Sequence, residues 1–324
     1  MIDMQVKFAG LTLQSPIIAG SSGLSRDIDK VKALAKAGVG AVILPSLFEE
    51  QIDLEINQLK KKTDYTEGLD MLEFYEKQHA VQQYLEMIKR TKEAVDIPVI
   101  ASINCFKAGS WIEFANQIAV AGADALEVNI FYLSSDPEIS GEDIKNNYFA
   151  IAREVVKKID IPVILKVSNQ FDNVSGMLRE LSFTGISGLV LFNRFYSPDI
   201  DIEKIKMTTG DMMSSGGDLS NPLRWIAIME GNVDCDLCSS TGVKNGGDVI
   251  KMLLAGANAV QIVGALYKGG ADSVSDAIDF ISGWMQRHNY ASIAEFRGKL
   301  SQKNLRDGSF YERVQFIKYF SEYK

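Results

Sequence analysis

Lys166 stands inside the apolar run Val163-Ile164-Leu165-Lys166-Val167, where a cation is costly unless a partner or a ligand compensates it. Two chemistries suit such a residue: a fixed ammonium beside an electron-rich cofactor ring, or a Schiff-base nucleophile. The structural alternative is a salt bridge to an acidic neighbour such as Glu127. A second group is small and polar: Ser239-Ser240-Thr241-Gly242 running on to Gly246-Gly247, and Val263-Gly264-Ala265-Leu266. Backbone N–H groups, hydroxyls and a helix start in two such loops suit a phosphate. Third come the amides Asn104, Asn129 and Asn193, each with a donor and an acceptor able to fix a planar heterocycle, or simply to cap a strand. Fourth, Ser215-Gly216-Gly217 precedes a helix expected to begin at Pro222, and paired glycines let backbone approach a ligand closely.

Metal and triad chemistry find little material. Cys235-Asp236-Leu237-Cys238 has the spacing of a metal or redox pair, but positions i and i+3 of a strand point to opposite faces, and only Cys105 remains as a further thiol. His79 and His288, the two histidines, fall in predicted helices away from strand ends. No metal is expected.

The elements that must position these residues alternate along the chain. Strand-like apolar runs are Ser15–Gly20, Ala41–Leu44, Pro98–Ile103, Ala125–Asn129, Pro162–Val167, Gly188–Phe192, Asp236–Ser240 and Ala259–Val263. Between them lie amphipathic stretches such as Asp27–Ala37, Trp111–Ala121, Glu142–Ile159, Asn221–Glu230 and Gly246–Ala255. The phrases Lys36-Ala37-Gly38-Val39-Gly40-Ala41, Val120-Ala121-Gly122-Ala123-Asp124-Ala125 and Leu254-Ala255-Gly256-Ala257-Asn258-Ala259 repeat one helix-end punctuation. Eight strands alternating with helices predict a closed (β/α)8 TIM barrel of the α/β class, one domain over 1–324. Chemistry in such a barrel gathers where strands end, which places Ser21, Ser22, Asn104, Asn129, Lys166 and Asn193 there. The long segment 48–75 is expected to cover the barrel mouth.

Composition narrows the partners. The 324 residues are 46% hydrophobic and 23% charged, as in an ordinary globular protein, so disordered and disulfide-stapled classes are excluded. The net charge of −8 gives no footprint for nucleic acid. No apolar run approaches the roughly 20 residues that span a bilayer, and a cytoplasmic chain is expected.

Taken in order, these residues resemble the dihydroorotate dehydrogenase family of FMN-containing barrels. The matching pieces are Leu13 to Ser21, Leu126-Glu127-Val128-Asn129, Pro162 to Val167, Ser215-Gly216-Gly217 to Pro222-Leu223, Gly246-Gly247-Asp248 to Gly270, and Ser292 to Leu300. The resemblance implies FMN as cofactor. Ala19, Gly20 and Ser21 would meet the flavin ring, and Asn104, Asn129 and Lys166 its polar edge. Ser215, Gly216 and Gly217 would face the ribityl and phosphate side, with Ser240, Thr241, Gly242, Val263, Gly264 and Ala265 around the phosphate. It also implies hydride transfer between flavin and a CH–CH bond of a small substrate, dihydroorotate or a related polar compound, by a homodimer.

The departures fall on the substrate side. Where the family carries a Cys or Ser base, this chain reads Asn129-Ile130-Phe131-Tyr132-Leu133-Ser134-Ser135, so Tyr132 or Ser135 takes that place according to the gap. After the second strand the family's lysine is replaced in Leu44-Pro45-Ser46-Leu47, and Arg194 stands beside the retained Asn193. Ser46, Asn193 and Arg194 are the expected substrate contacts. Two other readings stay open: a Schiff-base aldolase or lyase using Lys166 on a phosphorylated substrate, and a flavin barrel without catalysis.

Overall fold

The computed structural model describes residues 2–48, 69–104, 110–133, 135–194, 198–210 and 216–312, with backbone alone for 69–77, 110–113 and 216. Eight parallel strands close into a barrel: β1 Ile17–Ala19, β2 Ala41–Ile43, β3 Val99–Asn104, β4 Ala125–Asn129, β5 Val163–Val167, β6 Gly188–Leu191, β7 Asp236–Ser239 and β8 Ala259–Ile262. Closure runs through β1, which pairs with β8 (Gln261 opposite Ile18) and with β2 (Ile18 opposite Ala41). All eight predicted strands are present. They are buried on both faces, which is why they read as apolar runs rather than as an alternation.

Helices follow the strands in turn: α1 Ile28–Ala37, α2 Leu69–Ala94, α3 Ser110–Val120, α4 Gly141–Lys158, α5 Val174–Ser182, α6 Ser220–Met229, α7 Gly246–Ala255, α8 Gly264–Gly269 and α9 Asp272–Arg287. Side chains start several of them. Asp27 accepts from the Asp29 and Lys30 N–H groups, Ser140 and Asp143 form a reciprocal capping box, and Asn245 accepts from the Asp248 N–H. The repeated punctuation is a set of helix ends at Gly38, Gly122 and Gly256, with φ of 101°, 97° and 124°.

Several features differ from the expectation. α6 begins at Ser220, after a 3-10 turn over Gly216–Leu219, so Pro222 sits within the first turn. Its missing N–H costs nothing there, because first-turn N–H groups have no partner inside the helix. Of the segment expected as a mouth loop, 49–68 lies outside the described residues, and from Leu69 onward the chain is already helix α2. Two hairpins were not expected. One, Val6–Phe8 with Leu11–Leu13, drives Phe8 against Gly188 at the start of β6 and bonds the Ala9 N–H to Asp236 (2.8 Å), closing the barrel's amino-terminal end. The other, Pro198–Asp201 with Lys206–Thr209, leaves β6 and holds Ile200, Ile202, Ile205 and Met207 exposed. Among the described residues no helix is long and apolar enough to cross a membrane.

One break in the wall matters for the site. β2 pairs with Val99 and Ile100 of β3, stops, and resumes as Leu47–Phe48 opposite Ile103 and Asn104. Between these pairings three residues, Leu44 to Ser46, face two, Ala101 and Ser102, a bulge around Pro45, which has no N–H to give a ladder. The Tyr84 hydroxyl of α2 fills the gap, donating to the Ser102 carbonyl (2.9 Å) and accepting from its N–H (2.7 Å). Burial, foremost, pushes the Tyr84 phenol well above the usual tyrosine range, so it remains a donor. Tyr84→Phe should destabilise the fold by roughly 1–3 kcal/mol for each Ser102 group left unpaired, seen as a lower urea midpoint; an unchanged midpoint would contradict this account of the wall.

Candidate active site

Register brings the polar residues of the central strands to one level. Asn104 on β3 lies opposite Asn129 on β4, which lies opposite Lys166 on β5. Because strand side chains alternate, Glu127 shares a face with Asn129 two residues on. Lys166 Nζ donates to Gln261 Oε1 of β8 across the barrel (2.9 Å), and Gln261 Nε2 donates to Glu127 Oε2 (2.5 Å). Glu127 Oε1 is 3.9 Å from the ammonium and has no hydrogen bond. Glu127 is fully buried, whereas 13% of the Lys166 side chain is exposed. The expected alternative of an ion pair with Glu127 is therefore present, but with an amide inserted in it.

Lys166 and Gln261 open onto a cavity of about 450 Å³. Its rim comes from three loops: Ser21 after β1, Ser240, Thr241, Gly242 and Val243 after β7, and Val263, Gly264 and Tyr267 at β8 and α8. Arg194, after β6, completes it. Ala265 instead lines an adjoining recess of about 260 Å³ with Lys244 and Lys268. Thr241 has φ 76°, and its hydroxyl donates to the Phe192 carbonyl (3.1 Å). At Gly242 φ is 83°, and a Cβ would come within 2.4 Å of the Leu219 N. The turn holding Gly217 is thereby pressed onto the β7 loop. A Cβ at Gly20 would meet Val263 at 2.8 Å, which keeps this part of the rim narrow backbone; Ala19, just before it, is buried.

A row of hydroxyls runs from the cavity into the wall. Ser21 Oγ accepts from the Ser46 N–H (3.0 Å) and lies 3.2 Å from Ser46 Oγ, which lies 2.7 Å from Ser102 Oγ. Ser46 is thus a neutral link in this row. Asn193 is not at the cavity: its amide donates to the carbonyls of Ile130 (3.3 Å) and Lys166 (3.4 Å) and ties β6 to its neighbours. Tyr132 is half-buried against the core and Ser135 is exposed, and neither is among the cavity-lining residues. Ser215 lies outside the described residues, and of Gly216 only the backbone is described. Gln261, Tyr267 and Ser102 were not singled out from sequence, although Gln261 interrupts an apolar run just as Lys166 does.

The two described thiols, Cys235 and Cys238, are poor nucleophiles. Burial, foremost, raises Cys235 to about 12 and pushes Cys238 further above the ordinary cysteine range. Among the described residues no group of three His, Cys, Asp or Glu could hold a metal.

The donor set suits a flavin nucleotide. A ring-edge acceptor finds an ammonium with two donors not engaged by the described residues, and opposite it in register stands Asn129, whose Oδ1 is buried without a partner. The glycine rim admits a phosphate where side chains would collide.

A family model described as dihydroorotate dehydrogenase matches residues 3–285. A putative dihydroorotate dehydrogenase A (fumarate) of Aeropyrum pernix is 27% identical over 66% of this chain and 71% of its own. The catalytic subunit of dihydroorotate dehydrogenase B (NAD(+)) from Thermoplasma volcanium is 24% identical over 92% and 98%. Dihydropyrimidine dehydrogenase (NADP(+)), chloroplastic, of Arabidopsis thaliana is 24% identical over 91% and 76%.

Gly242→Ala should cost about 1–3 kcal/mol from its φ alone, with the collision at Leu219 added. A fall in melting temperature checks this, and an unchanged melt would show that the loop has room to spare.

Proposed function

The chain belongs to the dihydroorotate dehydrogenase family, and on that premise we propose that it is an FMN-dependent oxidoreductase acting on a CH–CH bond of a small, pyrimidine-like substrate. The observation that carries this reading is the Lys166 ammonium, fixed on one side by Gln261 and facing the cavity on the other. Members of the family are generally flavoproteins. FMN, when bound, takes or gives a hydride at its ring. Lys166 supplies standing positive charge for the ring's polar edge, and Asn104 and Asn129 supply amides beside it. Ser21 and the backbone of Gly20 border the ring, while Ser240, Thr241, Gly242, Val263 and Gly264 hold the phosphate, with Ala265 and Gly217 behind them.

On the substrate side, Arg194 is the cation for a carboxylate, Ser46 offers a neutral hydroxyl, and Asn193 orients the strand ends that carry the contacts. Tyr132 and Ser135 are the two residues positioned by sequence to take the substrate's proton. The aldolase reading is weakened by the same geometry: an ammonium that donates to Gln261 beside a buried carboxylate is arranged as a standing charge, not as a free amine. A homodimer belongs to this reading, and sedimentation of the purified chain tests it.

The deciding experiment is a visible spectrum of the purified protein incubated with FMN, followed by anaerobic dihydroorotate. Bound FMN that bleaches supports the whole reading; bound FMN that stays oxidised, with no other dihydropyrimidine reducing it, leaves a flavin barrel without catalysis. Absence of flavin binding overturns the reading. Arg194→Gln should weaken orotate binding roughly tenfold or more, the worth of a charged hydrogen bond, and leave uracil binding nearly unchanged; equal effects on both would remove Arg194 from the carboxylate.

A further inference from the structure

The Lys166 ammonium has three N–H donors and spends one on protein, at Gln261 Oε1. The obvious destination for the others is Glu127, a fully buried carboxylate whose Oε1 lacks any hydrogen bond. Yet Nζ stays 3.9 Å from it. Gln261 accounts for the distance. Lysine can only donate and an ionised carboxylate can only accept, so an amide between them has a single workable orientation, oxygen to Lys166 and nitrogen to Glu127. That orientation is the observed one. Gln261 is buried, so these two partners hold its amide.

We propose that Gln261 and Glu127 are positioning residues that set how much of the Lys166 charge reaches the cavity: Glu127 balances the ammonium from one amide away, and Gln261 keeps the ion pair from closing. A direct pair would draw the ammonium back into the barrel and neutralise it there. With neither residue, an uncompensated cation would stand inside the wall, at a desolvation cost that the barrel could not easily bear. The inserted amide is the intermediate arrangement, in which the charge is stabilised and still presented to the cavity. The inference rests on the flavin reading above and assigns a tuning role to two residues behind the ring-facing lysine.

The test is the reduction equilibrium of bound FMN, measured anaerobically against a reference dye in the wild-type protein and in Glu127→Gln and Gln261→Met. Positive charge favours the anionic reduced ring, so Glu127→Gln should shift the equilibrium toward reduced flavin. Gln261→Met, which lets Lys166 close on Glu127, should shift it the opposite way. A tenfold change in each is about 30 mV for a two-electron couple. Opposite shifts support the proposal. Flavin bound in both variants with an unmoved equilibrium, or with shifts of one sign, overturns it, since a merely structural role predicts no such pattern. Should one variant fail to fold, the sign of the other decides. A wild-type protein that binds no flavin counts against the flavin reading itself, a separate result from bound flavin whose potential does not respond.

Discussion

A charge inside a parallel barrel is the constraint on which the rest of the site turns. The interior of such a barrel is packed by apolar side chains from alternate strands, and an ammonium there needs compensation from other strands. Here it comes from β4 and β8, so the lysine on β5 is correctly placed only if the barrel is closed and in register: Asn129 opposite Lys166, and Gln261 opposite Ile18. A slip of one residue would turn Glu127 out of the interior and leave Lys166 without its counter-charge. The geometry of the site and the closure of the fold therefore depend on the same pairings.

The two sides of the cavity are built differently. The β7 and β8 side is narrow backbone, with glycines pressed against neighbouring chain and strained φ values at Thr241 and Gly242. The β2 side is a bulge around Pro45, bridged by Tyr84 and lined by the Ser21, Ser46 and Ser102 hydroxyls. Those hydroxyls are neutral and satisfy one another in a self-contained polar row. The cavity's second cation is Arg194, on the opposite loop.

Much of this was legible in the residues, for physical reasons. Strands buried on both faces leave apolar runs, and helix ends that need left-handed backbone leave Ala-Gly phrases, so the barrel could be read along its length. Lys166 announced itself because nothing else in its run is polar. Gln261 carried the same mark in Ala259-Val260-Gln261-Ile262-Val263, but its meaning depends on which strand lies across the barrel, and spacing does not reveal that. Tyr84 was invisible because its role exists only through a one-residue offset between two strands. Asn193 reads from sequence as either a ligand contact or a strand-end tie, two roles with an identical sequence signal, and its amide nitrogen bonds the Ile130 and Lys166 carbonyls. The N-terminal hairpin is too short to stand out, since each of its strands has three residues.

The account's central claim is that this barrel holds a flavin with its polar edge against the Lys166 ammonium. A crystal structure of the protein reconstituted with FMN tests it most directly. The account predicts Lys166 Nζ in hydrogen-bond contact with the ring's polar edge, still bonded to Gln261, and the phosphate at the Thr241–Gly242 and Val263–Gly264 loops. A flavin turned away from Lys166, or a phosphate bound elsewhere, would contradict it.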